Sequence, residues 1–162
     1  MTKFLGLTPT RLLALIVITF MFAYNAALAD DGVPVEGILA VNFTSSQTSP
    51  GIIAISANGI GRLTNVGYLS FQLQKTLDLT AKVPTYSGTF TITAGNGDTL
   101  TGTYAAIAGA PDAGGYGTFS GQLTITGGTG RFQSASGVVS FSAMANSGAG
   151  QAAYSLTGAL HM

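Results

Sequence analysis

The chain has 162 residues, with 6 Lys+Arg against 6 Asp+Glu, 23 Gly, no Cys, no Trp and a single His. The missing cysteine removes disulfides and thiol nucleophiles, and the lone His161 cannot build a multi-histidine zinc site, so neither a metal nor a cofactor is implied. A net charge of zero gives no electrostatic footprint for nucleic acid.

In chain order, the first element is an export signal. Lys3 and Arg11 precede an apolar run, Leu12 to Ala23, and Ala27-Leu28-Ala29 supplies a small-x-small cleavage pattern before Asp30-Asp31. The run is shorter than the roughly 20 residues a membrane-spanning helix needs. The expectation is a signal peptide over 1–29, cleaved after Ala29, then one domain over 30–162. The protein is then secreted or periplasmic, with no stable membrane span left. The remaining residues carry four basic and six acidic side chains.

From residue 30 onward the chain holds one Glu, 17 Thr, 13 Ser and 22 Gly. A soluble helix would need more Glu, Lys and Arg on its wet face, whereas Thr suits a half-exposed pleated surface. Period-two alternation recurs. Tyr86, Gly88, Phe90, Ile92 and Ala94 oppose Ser87, Thr89, Thr91 and Thr93; Leu100, Gly102, Tyr104 and Ala106 oppose Thr99, Thr101 and Thr103. Phe119, Gly121, Leu123 and Ile125, then Tyr154, Leu156, Gly158 and Leu160, repeat the pattern. Turn chemistry such as Asn96-Gly97-Asp98 and Ser49-Pro50-Gly51 falls between the runs. The predicted strands are 35–44, 52–63, 68–79, 85–94, 99–107, 117–126, 132–144 and 152–160.

Eight strands with short links predict an all-β, up-and-down antiparallel barrel, calycin-like in outline. Gly88, Gly102, Gly121 and Gly158 sit on the apolar face and act as closure devices that let strands coil. Alternation alone also fits a two-sheet sandwich. An outer-membrane barrel is a further alternative, since strand number and export signal suit it. Against it stand the absent Trp and the apolar, glycine-rich inward phase.

Leu123-Thr-Ile-Thr-Gly-Gly-Thr-Gly-Arg-Phe132, continued by Gln133-Ser-Ala-Ser-Gly137, resembles a segment of plant dirigent proteins and allene oxide cyclases. It is closer to a group of small secreted bacterial proteins that also carry a segment like Gly88 to Tyr104. The resemblance implies the eight-stranded allene oxide cyclase-type barrel. It does not imply the activity, which resides in lumen residues. That bacterial group often has Thr-His-Leu-Gly early in the chain. Thr64-Asn65-Val66-Gly67 occupies that place here, with Asn for His, so a role needing the imidazole has no side chain to perform it.

The Gly-Gly-Thr-Gly run is not a phosphate loop, since no Lys-Ser/Thr and no helix pattern follow it. The candidate ligand-binding residues are the lumen-phase tyrosines Tyr86, Tyr104 and Tyr154, with Tyr68 at the start of the third strand. A phenol lines an apolar cavity while offering one hydrogen bond. Glu36 and Arg62 are the further candidates, because two inward charges could serve an acid–base site. No residue is assigned as catalytic. The ordinary roles of these groups are core packing for the tyrosines and solvated strand ends for the charges. The Thr ladders of 89–93 and 99–103 fit cross-strand stabilisation better than a binding array.

Two functions fit. The first is a barrel that binds a small apolar ligand in its lumen or serves as a structural module, without catalysis. The second is a cyclase- or isomerase-like enzyme using the same lumen. An inward ionisable side chain separates them. A small hydrophobic ligand is the expected partner, and a weakly charged wall allows a homodimer.

Overall fold

The computed structural model describes residues 32–162 apart from Pro111 and Gly115. The predicted signal peptide lies outside the described residues. Eight strands follow in order: β1 Val33–Ser49, β2 Ile52–Leu63, β3 Gly67–Asp78, β4 Thr85–Ala94, β5 Thr99–Ala108, β6 Tyr116–Gly128, β7 Ser136–Asn146 and β8 Gln151–His161. Each pairs antiparallel with the next, and β1 pairs β8, so the sheet closes on itself. Every strand therefore has two partners. That excludes the sandwich, in which edge strands remain.

The apolar phase turns inward throughout. Val35, Leu39, Phe71, Leu73, Leu100, Leu123, Phe141 and Leu156 are buried in one cluster. The outer wall takes the hydroxyls: Thr89 faces Thr103, Thr91 faces Thr101 and Thr93 faces Thr99 across β4 and β5. Such pairs stabilise a sheet by about 0.2–1 kcal/mol each. The inward glycines stand where strands approach most closely. A Cβ on Gly102 would meet the Thr124 carbonyl, and one on Gly121 the Ala105 carbonyl.

Two predicted boundaries need correction. β1 runs to Ser49 rather than 44, because Ser45 to Gln47 pair with Ile55 to Ile53 on β2 although they carry no apolar alternation. β7 begins at Ser136 rather than 132, because Gly130–Phe132 forms a short 3-10 turn. Gly130 there has φ +57°, and a side chain at that position would collide with the Asp98 carboxylate. That carboxylate accepts the Arg131 backbone N–H at 3.2 Å. The turn drives Phe132 inward, where it is 0% exposed.

Phe132 belongs to one end of the barrel, with the starts of β1, β3, β5 and β7. The β2–β3 turn lies at the same end. Asn65 has φ +60° and donates its amide to the Pro34 carbonyl at 2.7 Å. Short polar side chains tolerate that left-handed backbone. Arg131 donates to the Val66 carbonyl at 2.7 Å, which ties the two turns together. This end is closed. The opposite end carries the β1–β2, β3–β4, β5–β6 and β7–β8 connections, with Leu79, Val83 and Tyr116 exposed around it.

Candidate functional site

β3 alternates Leu69, Phe71, Leu73, Lys75 and Leu77 on its inward phase, so a lysine follows three core residues into the lumen. Lys75 is 8% exposed and is the one buried charged residue among the described residues. Register explains how it fits. Lys75 pairs with Gly88 on β4, and Gly88 pairs with Tyr104 on β5. The missing side chain at Gly88 leaves a gap over which the lysine reaches Tyr104.

The amine Nζ lies 3.4 Å from the Tyr104 hydroxyl and 3.4 Å from the Tyr154 hydroxyl, and donates to both. Three aromatic rings surround it: Tyr86 at 4.3 Å, Phe119 at 4.5 Å and Tyr104 at 4.9 Å to the centroids. An aromatic layer supports these groups. Tyr104 stacks on Phe141 at 5.0 Å, and Phe119 meets Tyr154 edge-on at 5.4 Å.

Desolvation in this site lowers the Lys75 pKa from 10.5 to about 7. No carboxylate forms an ion pair with it among the described residues; the one salt bridge there joins Arg131 to Asp98. Burial, and to a lesser degree the neighbouring tyrosines, raise the Tyr104 pKa above the phenolic range. Burial likewise raises those of Tyr154 and Tyr86. Near neutral pH the site therefore holds three neutral phenols and an amine close to its midpoint. A free amine is a nucleophile, whereas lysine at its ordinary pKa is protonated.

The amine opens onto a cavity of about 220 Å³ lined by Val41, Phe43, Ile55, Leu77, Tyr86 and Ala152 among others. An apolar cavity of about 150 Å³ admits benzene, so this one holds a medium-length chain or a substituted ring. A larger groove of about 800 Å³ runs over Ile38, Ala40, Ile107 and Met144 on the outer wall. It is open to solvent and lined by no charged side chain, so the lumen cavity is the better site.

The structure brings Tyr86, Tyr104 and Tyr154 together around one amine. The other three candidates require correction. Tyr68 is 74% exposed on the outer wall, with Arg62 over its ring at 5.5 Å. Its phase is opposite that of Leu69, so it cannot line the lumen. Arg62 and Glu36 are likewise exposed on the outside, each one residue out of phase with an inward Leu63 or Val35. Composition and motif alone do not single out Lys75, since charged residues are rarely buried unpaired. Its shared phase with Phe71 and Leu73 was the available signal. The chain matches no family model, no curated protein and no solved structure.

Proposed function

We propose that this is an exported barrel that binds a small apolar ligand carrying one polar head. The ligand's body lies in the 220 Å³ cavity and its head meets Lys75 and Tyr154, both of which line it. The observation that carries this reading is a lumen cavity walled mainly by apolar side chains, with Lys75 and Tyr154 converging on it and Ser45 and Ser147 as further polar lining, the usual composition of a small-molecule site. The outer wall, rich in Thr, Ser, Gln and Asn, supports a barrel that works in water. A membrane barrel reverses this arrangement, with apolar side chains outside and polar ones within.

An NMR titration with 1-octanol tests the reading. Signals of Ile55, Leu77 and Ala57 should shift, while those of outer-wall threonines stay fixed. Ala152→Phe fills the cavity and should weaken binding by about tenfold or more. Shifts confined to the outer wall would contradict the proposal.

A second reading, a cyclase- or isomerase-like enzyme similar to the allene oxide cyclase and dirigent barrels, gains support from the inward ionisable group it requires. Lys75 supplies that group, in place of Glu36 and Arg62. The phenols, with their raised pKa values, serve there as hydrogen-bond donors rather than bases.

A further inference from the structure

We infer that Lys75 condenses with small apolar aldehydes that enter the lumen and holds them as an imine. The inference rests on the ligand-binding reading and deepens it by naming a ligand class. Four features of the site converge on this chemistry. The amine lines the wall of an apolar cavity, so a carbonyl carbon can be brought against it. No carboxylate from any strand packed around it holds it as an ion pair among the described residues; the titratable groups facing it are Tyr86 from β4, Tyr104 from β5 and Tyr154 from β8. Two hydroxyls stand 3.4 Å from Nζ, and that of Tyr154 is placed to pass protons between nitrogen and oxygen. The three rings at 4.3–4.9 Å wall the nitrogen off from bulk water, which limits hydrolysis of the imine.

The step balances without an external oxidant or reductant. The nitrogen lone pair attacks the carbonyl carbon and a C–N bond forms. The carbonyl π pair moves to oxygen, which takes one proton from the former amine through the Tyr154 hydroxyl, which lines the cavity. The resulting hydroxyl leaves as water with the second amine proton, and the C=N bond forms. Amine and aldehyde thus give imine and water. A water-poor apolar cavity favours the condensed side. Burial keeps a large fraction of the amine unprotonated near neutral pH.

Reductive trapping tests the inference. The purified protein is treated with octanal and cyanoborohydride near neutral pH, and the octylated lysine is located by peptide mapping. Lys75 should be modified at least about tenfold faster than Lys82. Its rate should level off above a pH of about 7. Both 1-octanol in competition and the Ala152→Phe substitution should suppress modification of Lys75 and leave Lys82 unchanged.

Modification at Lys82 or the N-terminus alone, with octanol-induced shifts at Ile55 and Leu77 intact, would overturn the imine and leave apolar binding standing. Modification of Lys75 that octanol does not suppress would also overturn it. Absence of both modification and octanol shifts would overturn the binding reading as well.

Discussion

Lys75→Met should stabilise the barrel by about 2–4 kcal/mol at neutral and acidic pH. The sign follows from the lowered pKa. In the unfolded chain the amine titrates near 10.5, and in the barrel at about 7. Below pH 7 both states are protonated and the fold carries the full cost of burying a charge. Between about 7 and 10.5 the unfolded state binds more protons, so wild-type stability rises with pH, by up to about 1.4 kcal/mol per unit. Above 10.5 both states are neutral and the cost disappears. The advantage of Met should therefore shrink through that window. Urea denaturation of both proteins across it is the check. An advantage independent of pH would mean that packing, not charge, separates the two. The same substitution removes the only amine of the site, so the gain in stability should accompany loss of aldehyde trapping.

Phe132→Ala should cost about 3–5 kcal/mol, the range for truncating a fully buried aromatic. The ring comes from outside the strands, on the turn between β6 and β7, and is 0% exposed. Neighbouring strands are held by their ladders and cannot collapse into the space. Thermal unfolding should show a fall in Tm of roughly 10 °C or more. Arg131→Ala, beside it, removes a hydrogen bond to the Val66 carbonyl from a side chain that is 45% exposed, and should cost about 1 kcal/mol. Equal losses from the two would contradict the role of Phe132 as the plug of the closed end.

Much of this architecture was readable from side-chain phase. Segments such as Tyr86 to Ala94 and Tyr154 to Leu160 alternate so strictly that their inward faces follow from the sequence, and the turn residues set eight strands in order. Misreadings arose where alternation is silent or misleading. Ser45 to Ser49 lacks apolar markers yet continues β1, since hydroxyl side chains can extend a strand whose backbone partners on β2 are available. Phe132 mimics the first residue of a strand, but the glycines before it permit a tight turn that sends its ring inward.

The site divides the same way. Tyr86, Tyr104 and Tyr154 share a phase with core residues and converge. Tyr68, Glu36 and Arg62 carry suitable chemistry but lie out of phase with Leu69, Val35 and Leu63, and all three stand outside. Lys75 is the converse case: its phase pointed inward and only the expectation that charges stay wet argued otherwise. What no periodicity reveals is the cross-strand register that sets Gly88 between Lys75 and Tyr104.

The most direct test is the titration of the Lys75 side chain by carbon-13 NMR, following its Cε signal. An amine enclosed by Tyr86, Tyr104, Phe119 and Tyr154 should titrate at about 7, well below the ordinary lysine value of about 10.4. A Lys75 midpoint near about 10.4, the ordinary lysine value, would place the amine in water and contradict the enclosed site.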